Sequence, residues 1–354
     1  MAQIKSFDTD MYDRTYCALV TAFKPDSLEV DEEAYRKLVR YYTTNKYFIE
    51  TKGSLVVNPE AGEIFYLTAE ERRCLIRIVM KERPSEMPIF AGCYGLRMDE
   101  VIESALDAKS LGVDGIFVMP PAGASEVSTY YDGSGNPEVF TAYVRDIAEA
   151  TQLPIIVHAS HPSTPKWGKG LPIETVKMVL EEVPSVVGWK MIYGSMDAHF
   201  RIARYIRSLS RHVGILNAPH FCYHTALVCN LLDGAVQGAY NFNMESLVAH
   251  TIAWEQGNLD GARKIWNKEI MPLQEYVYAD RPRLHVRYKL ATWIRGLISH
   301  PFMRPPNPQP NVDEAERMYE VIQKTGLSHI ERVEFDDVLE KRPNITNHVP
   351  LTHT

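Results

Sequence analysis

The chain has 354 residues, 45% of them hydrophobic, enough for a large core in one unit of barrel size or in two smaller ones. Lysine and arginine number 38 against 45 acidic residues, a net charge of −7 without long basic runs, so bulk charge offers no attraction to nucleic acid or anionic lipid. Residues 1–20 show no basic stretch followed by an apolar segment, and no apolar run is long enough to span a bilayer; the expected location is cytoplasmic.

Apolar runs rich in β-branched residues alternate with segments of helical periodicity, the pattern of parallel βαβ units. The expected strands are 16–23 (YCALVTAF), 48–57 (FIETKGSLVV), 88–93 (PIFAGC), 115–120 (GIFVMP), 154–160 (PIIVHAS), 186–191 (VVGWKM), 213–218 (VGILNA) and 234–240 (GAVQGAY). Between the second and third, Thr68 stands before Glu70 and Glu71 as an N-cap with acidic first-turn residues, and Gly112 closes the next helix as a C-cap glycine does. This alternation predicts an α/β fold, a (β/α)8 TIM barrel over residues 1–243, since no GxGxxG follows the first strand as an open dinucleotide-binding sheet would require. Residues 244–354 are expected to form a C-terminal helical region packed on the barrel. It would hold helices over 244–278, 284–298 and 312–325, a stiff proline-rich connector at 299–311 and an aperiodic tail from 330. Cys17, Cys74, Cys93, Cys222 and Cys229 are scattered and odd in number, which fits reduced thiols in the core.

Lys190 ends the sixth apolar run, and in a barrel of this kind catalytic groups come from the C-terminal ends of the strands. Alternation places Lys190 on one face with Gly188 and Val186, and Trp189 with Met191 on the other. With Trp189 against the outer helices, Lys190 points into the barrel mouth and Gly188 leaves room for a substrate. An amine there is partly desolvated, which lowers its pKa and supplies the neutral nucleophile that attacks a carbonyl. A lysine that merely snorkels to solvent is the plain alternative.

VVGWK, with LPIIVHASHP before it and AGEIFYLTAEER well upstream, resembles the dihydrodipicolinate synthase and N-acetylneuraminate lyase family of class I aldolases. Further markers are Ala108, Gly112-Val113-Asp114-Gly115, Gly234 to Asn241, and Arg304-Pro305-Pro306, so the resemblance runs over roughly residues 15 to 326. It implies that Lys190 forms a Schiff base with a 2-oxo acid or related carbonyl compound. The imine then serves as electron sink for aldol cleavage, condensation or dehydration. It also implies a homo-oligomer, tetramer or dimer, and a reaction that needs no cofactor or metal. Substrate-binding positions implied by the motif are Glu60, Ala61, Gly62, Glu63, Gly188 and Asn241.

The departures from the family pattern are specific. The turn that holds the substrate carboxylate reads Pro59-Glu60-Ala61-Gly62-Glu63, without its two hydroxyls and with an acidic Glu60 that would repel a carboxylate. The tyrosine that ends the fifth strand is matched by His158, which titrates near neutrality and can act as acid or base. Pro121 and Ala122 stand where paired tyrosines are usual, and Tyr130 and Tyr131 lie further along a loop with glycines at 133 and 135, as a replacement acid or lid, or as cover for apolar surface. No arginine occurs in HPSTPKWGKG to clamp a second carboxylate, where Lys166 or Lys169 would be weaker substitutes. Two other readings stay open: a metal-dependent lyase or hydrolase using His158, His161, His220 and His224, and a ligand-binding barrel without catalysis.

Overall fold

The computed structural model describes residues 12–121, 132–133, 135–160, 170–218 and 222–340. Eight parallel strands close into a barrel in sequence order, β1 Thr15–Ala18, β2 Gly53–Val57, β3 Ile89–Gly92, β4 Gly115–Val118, β5 Ile155–His158, β6 Val186–Met191, β7 Gly214–Asn217 and β8 Gly234–Gln237. The seam joins β1 to β8, with Thr15 opposite Ala235 and Cys17 opposite Gln237. The helices are α1 Glu32–Thr43, α2 Lys46–Glu50, α3 Ala69–Glu82, α4 Met98–Ser110, α5 Pro137–Thr151, α6 Ile173–Glu182, α7 Met196–Arg207, α8 Tyr223–Val228, α9 Tyr240–Glu255, α10 Leu259–Ile265, α11 Met271–Tyr278, α12 Leu284–Ile294, α13 Val312–Thr325 and α14 Arg332–Glu340. None among the described residues is long and apolar enough to cross a membrane.

Local chemistry sets the boundaries. Thr68 and Glu71 cap α3 reciprocally, each side chain accepting from the other's backbone N–H at 3.2 and 2.8 Å. Gly112 follows α4 at φ 86°, the left-handed conformation that a side chain would strain. The expected strand 48–57 is cut in two because the Asn45 side chain accepts from the Phe48 N–H at 3.0 Å and caps α2. Gly53 then lets the Phe48 ring pack where a Cβ would lie 2.5 Å from it. The first strand ends early at Ala18, since the Val20 N–H turns to Asn241 Oδ1. The tail is also helical where no period was expected: α14 buries Phe335 against Trp293 and Tyr319, ring centroids 5.3 and 4.8 Å apart.

Two apolar layers divide along the strands. Tyr16, Val56, Phe90, Phe117, Ile156, Leu216 and Val236 fill the barrel interior, while alternate residues such as Val157, Trp189, Met191 and Ile215 pack under the helices. In β6 the alternation is broken once. Ile155 pairs with Val186 but Ile156 pairs with Gly188, so Val186 faces outward with the helices instead of sharing Lys190's face. Gly188 does face inward, but its space is filled: a Cβ there would stand 3.0 Å from both Ile156 and Leu216. The glycine makes room for the barrel core and not, as expected, for a substrate.

The element α9 runs from Tyr240 and packs on β1, but its backbone breaks at Asn243 (φ −139°, ψ 35°), so the expected boundary at residue 243 falls on a kink between two helical segments. Asn241, buried at its start, receives the Val20 N–H at 3.0 Å and donates to the Ala18 and Gly238 carbonyls, both at 2.7 Å. Its role is to tie the end of β1 to the turn after β8, not to meet a substrate. Asn241→Leu would take the side-chain partner from the Val20 N–H and the Ala18 carbonyl, while the Gly238 carbonyl keeps the backbone N–H of residue 241, and should lower unfolding stability by about 2 kcal/mol in urea titration; a change within error would show those groups find other partners.

Candidate active site

The mouth of the barrel is assembled from the ends of β2, β5 and β6 and from the first turn of α12. His158 and Lys190 are direct partners across the β5–β6 pair and both point inward. Beneath them lies Phe117, with the Lys190 Nζ 5.3 Å from its ring centroid and the His158 ring stacked on it at 5.7 Å. After β2 the chain winds into a short 3₁₀ turn, Glu60–Gly62, that carries the Glu60 carboxylate against His158 Nδ1.

One carboxylate thus faces an amine and two imidazoles. Burial alone would raise the Glu60 carboxyl, but the contact with His158, with Lys190 and His285 beyond it, pulls it down to about 2. Burial holds Lys190 below an ordinary lysine, partly opposed by Glu60. His158 is likewise held low by burial, with Glu60 pulling it up and Lys190 pushing it down. Near neutrality the group is therefore an ionised carboxylate in contact with an imidazole whose charged form burial disfavours, next to an amine that gives up its proton more readily than a surface lysine.

Glu63, three residues on, does something else. Its backbone is left-handed (φ 59°) and its carboxylate is buried, with Oε1 on Lys289 Nζ at 2.6 Å and Oε2 receiving the Arg304 N–H at 2.9 Å and Asn307 Nδ2 at 3.0 Å. Lys289 also lies 3.9 Å from the Phe23 ring centroid. The expected substrate contact of Glu63 is replaced by a structural one that fastens α12 to the turn after β2. The Gly62 and Glu63 amide hydrogens are held by the Pro59 and Glu60 carbonyls, at 3.0 and 2.9 Å, and Ala61 is buried. The turn therefore does not present those two amides to a ligand.

The helical region supplies three residues that sequence reasoning missed. His285 interacts electrostatically with Glu60, Lys190, Glu63 and His158, and its ring lies 5.8 Å from that of Tyr288. The Tyr288 hydroxyl meets that of Tyr278, and Glu60 acts on Tyr288 as well. The available signal was the spacing of His285, Tyr288 and Lys289, an i, i+3, i+4 face with polar groups on the helix LHVRYKLATWI, where Arg287 lies off that face.

The profile of the dihydrodipicolinate synthetase family matches residues 11–325. The chain belongs to that family. It is a lyase of the carbon–carbon type, in keeping with curated relatives named 4-hydroxy-tetrahydrodipicolinate synthase. The one from Thermodesulfovibrio yellowstonii is 26% identical over 90% of this chain and 99% of its own length, and the one from Methanopyrus kandleri is 27% identical over 88% and 95%. Among solved structures, the dihydrodipicolinate synthase of Aquifex aeolicus superposes with a TM-score of 0.73 at 21% identity, covering 90% of this chain and 99% of that one. A sialic acid aldolase from Ruminococcus gnavus, solved as a catalytic lysine mutant, gives 0.73 at 18% identity over 95% and 100%, and these two bear on the fold alone.

Of the four histidines of the metal reading, His158 and His224 are among the described residues, and each has another partner. His158 is engaged with Glu60, whereas His224 Nδ1 sits 2.9 Å from His250 Nε2 among Trp254 and Trp266. His161 and His220 lie outside the described residues, as do Tyr130, Tyr131, Lys166 and Lys169. The donor cluster that could hold an ion among the described residues is Asp13, His212 and Asp233, but Arg207 grips both Asp233 oxygens, at 2.8 and 2.6 Å.

Lys289→Met should destabilise the chain by about 3 kcal/mol or more, because it leaves the Glu63 charge buried without its cation, and the double variant with Glu63→Gln should recover part of that loss. Equal unfolding midpoints for the single and double variants would refute the coupling.

Proposed function

We propose that this lyase works through an imine on Lys190, formed with a 2-oxo acid or a related small carbonyl compound. The observation that carries the reading is the placement of the Lys190 amine at the C-terminal end of β6, beside the His158–Glu60 pair and over the Phe117 ring. The neutral amine adds to the carbonyl carbon, the resulting carbinolamine loses water, and the protonated imine draws electrons from the neighbouring carbon–carbon or carbon–oxygen bond. Protons must move at each stage, and His158 stands where they are needed. Its imidazole accepts a proton while neutral, and the ionised Glu60 steadies the imidazolium that results, much as a carboxylate orients the histidine of a hydrolase. The pair does the work that a tyrosine hydroxyl does elsewhere in the family, with a different reach.

Borohydride reduction in the presence of pyruvate or a small aldehyde, followed by intact-mass analysis, should give one covalent adduct per chain, absent in Lys190→Ala. A folded wild-type protein that traps none of these carbonyls would overturn the imine. His158→Asn should still trap but turn over at least about a hundredfold more slowly, as expected on losing an acid–base group. Glu60→Gln removes the anion that favours protonated Lys190, so the pH profile of trapping should move to lower pH; a shift to higher pH would contradict the electrostatics of the mouth.

A further inference from the structure

A substrate carboxylate entering this mouth meets an ionised Glu60 and a turn stripped of hydroxyls, and the nearby cations Lys289 and Arg304 are committed. Lys289 is paired with Glu63, and the Arg304 guanidinium with Glu71 and the Leu28 and Tyr66 carbonyls. Among the described residues, the approach left is from α12. Its orientation is fixed at two points: Lys289 is held by Glu63, and Tyr288 packs so closely on β8's exit that a Cβ at Gly238 would stand 2.2 Å from its ring. His285 lies one turn before Lys289 on that same face. Unlike Val286, Tyr288 and Lys289, which are buried, it is only partly covered.

We propose that His285 receives the carboxylate of the bound 2-oxo acid and takes up a proton as it does so, so that the acid end of the substrate is read from the C-terminal helix. This rests on the imine reading and adds to it the group that selects an acid over a neutral carbonyl. The groups facing His285 are Glu60 and Glu63 from the segment after β2, His158 from β5, Lys190 from β6 and Tyr288 on its own helix. Without substrate, desolvation in the mouth disfavours the charged imidazole, aided by Lys190 and His158 and opposed by the two glutamates. An arriving carboxylate adds a second anion near Glu60, and an imidazole is the group whose protonation near neutral pH offsets it most readily.

The test uses the full chain and compares half-saturating concentrations for borohydride trapping of pyruvate and of hydroxyacetone, a neutral ketone, between about pH 6 and 8. Taking the ratio cancels the titration of Lys190, which both carbonyls share. In the wild type the pyruvate-to-hydroxyacetone ratio should rise with pH. In His285→Asn pyruvate should weaken about tenfold or more while hydroxyacetone is unchanged, and the ratio should lose its pH dependence. His285→Arg, with a fixed charge, should restore pyruvate trapping without that dependence. Unchanged pyruvate trapping in His285→Asn, or equal weakening of both carbonyls, would overturn the assignment. Wild-type trapping of hydroxyacetone but not of pyruvate would overturn it and leave the imine standing, whereas no trapping of either removes both.

Discussion

The barrel mouth depends on a single buried anion. Lys190 and His158, with His285 above them, are gathered over an apolar interior that disfavours their charged forms, and Glu60 is the counter-charge that keeps proton uptake within reach. Because the carboxylate touches His158, it also fixes how that imidazole is presented. A neutral side chain in its place would leave the same groups but a different chemistry: basic residues that resist protonation, with nothing to orient them. The acidic residue that looks misplaced in a carboxylate-binding turn is thus the residue around which the rest of the mouth is organised.

The second constraint is mechanical. Glu63, three positions after Glu60, holds Lys289 and the backbone of Arg304, so the turn after β2 carries the reactive carboxylate and the anchor of the helical region together. Movement of α12 would therefore be felt at Glu60, and the helices beyond the barrel are part of the mouth's wall. That coupling crosses the expected division at residue 243, since α12 packs back on the turn that carries Glu60.

Much of this was legible in the sequence. The β-branched runs place all eight strands, Thr68 with Glu71 marks the start of α3, and a cation at the end of an otherwise apolar strand singles out Lys190. What was hidden depends on tertiary context. A spacing of three residues cannot say that Glu60 enters the mouth while Glu63 turns to Lys289, because the backbone becomes left-handed at Glu63 itself. The face of α12 is visible as a pattern, but the pattern does not name the barrel segment on which the helix lands. Asn241 and Gly188 follow the family motif, and the motif proves in both cases to record packing: one ties strand ends, the other admits Ile156 and Leu216.

The irregularity in β6 has a consequence for how this site tolerates change. Because the skip in pairing lies before Gly188, the inward aim of Lys190 is set by its neighbours on β5 and β7 and is uncoupled from the length of chain arriving from α6. A strand of unbroken alternation would turn its lysine outward if one residue were lost upstream. Here the skip sits at Val186 and Val187, so the pairing of Gly188 and Lys190 with β5 and β7, and not the count of residues before them, sets the heading of the nucleophile.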